Sequence, residues 1–142
     1  MTPKDIFLDV VNRLYGIMYR WGGDDPETGF DCSGLVVEGL QSAGAIPHGS
    51  DETADSLWRK YRTKEIALGL ARETEGALFF YLNADGKATH VEVSLGNGFV
   101  IGAIGGGPGT LTPGDAAASN AFVKIRPVNY RGGPTKAVNP WR

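Results

Sequence analysis

One cysteine and two histidines set the limits on the chemistry this chain can do. Cys32 follows Asp31 and opens a run in which Cys32, Val36, Leu40 and Ala43 recur at helical spacing, with Asp31 placed to cap the start and Gly44 to end it. A thiol in the first turn of a helix faces oriented backbone N–H groups that favour the thiolate, the form that attacks carbonyl carbon. The small residues Ser33 and Gly34 suggest room for a substrate backbone to approach, with a nearby N–H to stabilise an oxyanion. The competing reading is a buried cysteine that packs as a small hydrophobe.

A thiolate mechanism needs a base, and imidazole titrates close to working pH. His48, in Ile46-Pro47-His48-Gly49, reads as a solvated turn residue. His90 begins a run in which His90, Glu92 and Ser94 alternate with Val91, Val93 and Leu95, so period two places His90 on a polar strand face. Either a structural or a catalytic role fits that position.

The elements that must hold these residues can be read outward from them. Thr2, Pro3 and Asp5 have the form of a helix start, and Ile6, Phe7, Val10, Val11, Leu14 and Ile17 predict an amphipathic helix over residues 3–18. Residues 19–30, broken by Gly22, Gly23, Pro26 and Gly29, predict a loop. Ala54, Leu57, Trp58 and Tyr61 predict a third helix behind Ser50 and Asp51, its aromatics belonging to the core. Runs at 77–82, 89–95, 99–104 and 121–128 predict strands, and Gly96-Asn97-Gly98 predicts an antiparallel hairpin over 89–104. Helices first and a meandering sheet afterwards predict an α+β domain over residues 1–130, while the Gly/Pro-rich segment 131–142 is expected to be a loosely attached tail.

Composition removes other functions. The net charge of −2 offers no broad basic surface, so nucleic acid is not an expected partner. No apolar run approaches the roughly 20 residues a spanning helix needs, and Asp5 and Asp9 stand where a secretory leader would be apolar, so neither membrane insertion nor an export signal is expected. One cysteine closes no internal disulfide, and with two histidines it is a thin ligand set for zinc; no metal or organic cofactor is expected. Gly105-Gly106-Gly107-Pro108-Gly109 lacks the Lys-Ser/Thr ending of a phosphate loop and reads as a flexible rim.

In order along the chain, Tyr19-Arg20-Trp21-Gly22-Gly23, Phe30-Asp31-Cys32-Ser33-Gly34-Leu35-Val36, Gly76-Ala77-Leu78-Phe79-Phe80 and His90-Val91-Glu92-Val93-Ser94 resemble the lead-in, nucleophile, Gly-Asp-Leu and histidine motifs of the NlpC-type cysteine peptidases of papain-like fold. The resemblance spans residues 5–104, with Ala77 where the family has an acid. It implies Cys32 as nucleophile, His90 as base and then acid, Tyr19 on the oxyanion or substrate side, and Asp31 and Ser33 contacting the free amino end of a peptidoglycan stem peptide. A plain helix cap remains the alternative for Asp31. The implied activity is hydrolysis of a γ-D-glutamyl-diamino acid bond through an acyl-thioester. The compactness and the missing leader suggest a phage-encoded member, acting on the wall after phage-type release or delivery, with tail or delivery-machine proteins as further partners.

One departure stands out. The family places an imidazole-orienting polar residue twelve positions after the histidine, and here that position is Gly102. Three substitutes can be named: a backbone carbonyl or water near Gly102, Glu92, or Asn129. The first is favoured, because Glu92 lies about 7 Å further along its strand and reads as an exposed carboxylate. The departure also keeps two competitors open: a noncatalytic structural or binding module of a tail assembly that retains the scaffold, and a related thiol hydrolase or transferase acting on another amide.

Overall fold

Thr2 and Asp5 close a reciprocal cap, the Thr2 hydroxyl accepting from the Asp5 N–H and the Asp5 carboxylate from the Thr2 N–H, and with Pro3 in the first turn they start helix α1 (Pro3–Arg13). The computed structural model describes residues 1–25 and 29–142. Helix α1 stops five residues short of the expected end. Gly16 turns the chain at φ +86°, and residues 16–19 join the sheet instead, Gly16 N–H donating to Val123 O and Tyr19 N–H to Ala121 O. Ile17 continues the apolar periodicity because it packs on the same core from an extended backbone.

The segment expected to be a loop carries a small ribbon, β1 (Asp24–Asp25) against β2 (Gly29–Phe30); the part of that reading at 26–28 lies outside the described residues. Helix α2 (Cys32–Ser42) is capped by Asp31 as expected and is buried along most of its length. Gly39 lets the Phe7 ring of α1 lie against the helix backbone, where a Cβ would sit 2.8 Å from the ring. Helix α3 (Ala54–Tyr61) is capped by Thr53, not by Ser50 or Asp51, and buries the expected Leu57, Trp58 and Tyr61. Its Asp55 binds Arg59 and also accepts the Ala88 N–H, pinning the helix to the start of the histidine strand.

Strands β3 (Glu65–Ile66), β4 (Leu78–Leu82), β5 (Ala88–Gly96), β6 (Phe99–Ile104), β7 (Phe122–Pro127) and β8 (Lys136–Val138) form one antiparallel sheet in the order β3-β8-β4-β5-β6-β7. Short helices α4 (Leu68–Arg72) and α5 (Pro113–Ser119) fill two of the connections. The β5–β6 hairpin turns at Asn97 and Gly98, both at positive φ, as Asn-Gly predicts.

Two expectations fail here, for one reason. Segment 131–142 is not a loose tail: β8 runs between β3 and β4, Ala137 and Val138 are buried, and the Trp141 indole donates to Gly76 O and packs on Phe7. Likewise the polar face of β5 is not solvated, since Glu92 and Ser94 are both fully buried. The Ser94 hydroxyl donates to Ala71 O in α4, and Tyr130 lies over Glu92. Period two identifies which side chains share a face but not which later segment covers it.

Candidate active site

Cys32 is the first residue of α2 and half-buried, on the wall of a cleft of about 640 Å³. Asp31 Oδ1 accepts the Gly34 N–H at 2.6 Å and the Ser33 hydroxyl at 3.1 Å, which fixes the turn that presents the sulfur. Burial raises the Asp31 carboxyl above its usual range, opposed by the hydrogen bonds from Gly34, Ser33 and Gly22. Asp31 is therefore a helix cap, and it also lines the cleft beside Ser33.

The space beside Gly34 is not free for substrate. A Cβ there would lie 2.0 Å from the Gly23 carbonyl oxygen, which accepts the Asp31 N–H. Gly34 is thus required by the close approach of the Tyr19–Gly23 segment. Gly34→Ala is expected to cost about 1–3 kcal/mol through overpacking against rigid backbone; an unchanged thermal midpoint would contradict that fit.

Tyr19 comes from the extended stretch after α1 and lines the cleft with its ring largely buried. Burial pushes its phenol upward, and the neighbouring Cys32 and Asp31 charges add to this. The glycine-rich loop forms the rim as expected: Gly105 to Pro108 line the cleft, and Gly106 lies flat on the Tyr19 ring, where a Cβ would come within 2.1 Å.

His90 faces the cleft from β5, while His48 is exposed in its turn and takes no part in the cleft lining. Burial by itself lowers the His90 pKa, but contacts with the Cys32 thiol and the Glu92 carboxylate outweigh it, and the value is pushed from 6.5 up to about 9. Nε2 lies 3.0 Å from Glu92 Oε2, a close ion pair that falls short of an aligned hydrogen bond. With Nε2 turned to the carboxylate, Nδ1 is the nitrogen left for the sulfur. Tyr130 donates its hydroxyl to the same Glu92 oxygen.

The structure thus gathers Cys32, His90, Tyr19, Asp31 and Ser33 around one cleft. Glu92, read from sequence as an exposed carboxylate, is instead fully buried beside the imidazole. A signal for it was present. The Asn97 turn sets Val93 opposite Ile101, and continuing that register puts Glu92 opposite Gly102. Tyr130 and Arg131, from the supposed end of the domain, and the acidic Asp24, Asp51 and Glu52 on the rim carried no such signal. The arrangement sets a thiol at a helix start and a buried imidazole on one cleft, the two groups that acyl transfer through sulfur requires. Among the described residues, no group of three His, Cys, Asp or Glu side chains is placed to hold a metal ion, and no helix is long and apolar enough to cross a membrane.

Relatives share this framework. The bifunctional muramidase/DL-endopeptidase CwlT of Bacillus subtilis is 38% identical over 87 residues, covering 61% of this chain and 25% of that protein. The murein DD-endopeptidase MepH of Escherichia coli is 36% identical over 96 residues, covering 68% of this chain and 34% of its own length. The chain therefore spans between a quarter and about a third of these two curated relatives. The crystal structure of the P60 domain of antigen MAP1204 from M. avium subspecies paratuberculosis superposes with a TM-score of 0.72 at 25% identity, covering 99% of this chain and 96% of that one. The non-catalytic RipD of Mycobacterium tuberculosis has the same fold, with a TM-score of 0.68 at 18% identity over 97% of both chains. The model of the NlpC/P60 family matches residues 16–124, most of the length, and the chain belongs to that family.

Proposed function

We propose that this chain is a cysteine peptidase that hydrolyses peptide bonds in peptidoglycan stem peptides, the γ-D-glutamyl-diamino acid bond in particular. The observation that carries the reading is Cys32 at the first turn of α2, on the wall of the same cleft that the buried His90 lines. The names of the relatives support the substrate class, two of them being endopeptidases of DL and DD specificity.

In the proposed reaction the Cys32 thiolate adds to the scissile carbonyl carbon, and the negative charge that develops on oxygen is met by N–H groups at the start of α2. His90 gives its proton to the leaving amine as the C–N bond breaks, which leaves an acyl-thioester on Cys32. The now neutral imidazole takes a proton from water, whose oxygen attacks the thioester; the acid product leaves and the ion pair is restored. Asp31, Asp51 and Glu52 give the cleft an acidic side suited to the free ammonium of a stem peptide.

Purified sacculi incubated with wild-type protein and with Cys32→Ala separate this reading from its rivals. Wild type is expected to release muropeptides whose masses identify the cut, and Cys32→Ala none. Release that is absent from both, or equal from both, would overturn the peptidase reading. Retention of both proteins on sacculi without release would mark a binding module instead.

A further inference from the structure

We infer that Glu92 is the residue that positions the catalytic imidazole, and that it does so by filling, from the histidine's own strand, the volume that Gly102 leaves open on the facing strand. The inference rests on the reading of Cys32 and His90 as nucleophile and base and names a further residue for that site.

Three observations converge on it. Continued one residue beyond the Val93–Ile101 pair, the register of the β5–β6 hairpin brings Glu92 opposite Gly102, and a Cβ on Gly102 would stand 3.1 Å from Glu92 Cγ and 3.7 Å from Oε2. A side chain at 102 and this placement of Glu92 therefore compete for one space. Glu92 is 0% exposed, and a carboxylate is rarely so buried without a partner. Its Oε2 is shared between His90 Nε2, at 3.0 Å, and the Tyr130 hydroxyl.

The distance along the strand that argued against Glu92 is thus closed by side-chain reach on a common face. The groups around the pair are Cys32 from α2, Tyr81 from β4, and Tyr130 and Arg131 from the segment after β7. The phenols of Tyr81 and Tyr130 are both pushed upward, by burial first and by the Glu92 charge second. Among the described residues the Tyr81 hydroxyl makes no well-aligned hydrogen bond, and the Arg131 guanidinium stacks on its ring at 4.7 Å. Tyr130 is therefore the clamp that holds the carboxylate in place. The carboxylate fixes the ring rotation and the tautomer, so that Nδ1 faces sulfur, and it favours the imidazolium.

Glu92→Gln keeps the shape and the Tyr130 contact while removing the charge. With only two histidines in the chain, the His90 ring can be followed by NMR against the exposed His48. Glu92→Gln is expected to lower the His90 titration midpoint by at least one pH unit, and to move the pH profile of Cys32 alkylation by iodoacetamide with it, while far-UV CD and the His48 titration stay as in wild type. In muropeptide hydrolysis, Glu92→Ala should lower kcat by about 10²-fold with KM little changed, at the lower end of the span of contributions to acid–base catalysis.

The double variant Glu92→Ala, Gly102→Glu returns a carboxylate to the same space from the facing strand and is expected to recover at least a third of the His90 shift and a comparable part of kcat. A His90 midpoint in folded Glu92→Gln equal to that of wild type would overturn the inference, as would a double variant no better than Glu92→Ala. A shifted midpoint in a protein that cuts no muropeptide would sink the proposed substrate while leaving the pairing of Glu92 with His90 intact.

Discussion

His90→Ala should lower kcat/KM for muropeptide hydrolysis by about 10³-fold, in the middle of the range for removal of a general acid–base, and should slow Cys32 alkylation at neutral pH. In the proposed mechanism the alanine deletes the proton donor for the leaving amine and the cation that partners the sulfur. The same group gives the fold a pH signature. Because the His90 pKa is raised in the folded state, from 6.5 to about 9, folding favours its protonated form. The stability this supplies is fully present below pH 6.5 and is lost as pH rises through about 9. The difference in thermal midpoint between wild type and His90→Ala is accordingly expected to be widest at pH 6 and to narrow towards pH 9.5. Hydrolysis should decline over the same upper limb, because the imidazole no longer carries the proton that the amine needs. A variant with near wild-type kcat/KM, or a difference in midpoint that does not change with pH, would remove His90 from its assigned role.

Deletion of residues 131–142 is expected to abolish cooperative unfolding altogether. Without β8 the ladders on both β3 and β4 lose their partner, and the flanking bonds from Thr135 N–H to Phe80 O and from Asn139 N–H to Lys64 O are lost as well. Phe79, now 0% exposed, would lose the cover of Ala137 beside it. Trp141→Ala is the milder form of the same test. It removes a half-buried indole packed at a tilt against Phe7 and a hydrogen bond to Gly76 O, and should cost about 2 kcal/mol, below the usual range for a fully buried Trp. A truncated protein with a sharp thermal transition near that of wild type would show that the last strand is peripheral, as its composition suggested.

Local signals carried far in this chain. The cap at Asp31 and the spacing of Val36 and Leu40 located α2 and placed Cys32 at its first turn, because capping and amphipathic period act within a few residues. Asn97 and Gly98 defined the hairpin for the same reason, and strand β6 falls on residues 99–104 as expected. The readings that failed are those in which a residue's surroundings come from distant segments. Ile17 keeps a helical period although its backbone is extended against β7. Lys136–Val138 is too short and too ordinary in composition to mark itself as an inner strand, and becomes one only because β3 and β4 both offer it free ladder groups.

The amino-acid order alone determined the α+β class and the position of Cys32 at a helix start, since both depend on short-range backbone preferences, and it narrowed the imidazole candidates to two, of which the family resemblance picked out His90. The tertiary structure alone decided what surrounds them. It buried Glu92 under Tyr130, filled the space beside Gly34 with the Gly23 carbonyl, and drew the C-terminal segment into the sheet. Charge pairing in a low-dielectric interior depends on which chain segments meet in space, and that meeting is fixed by the packing of the whole fold.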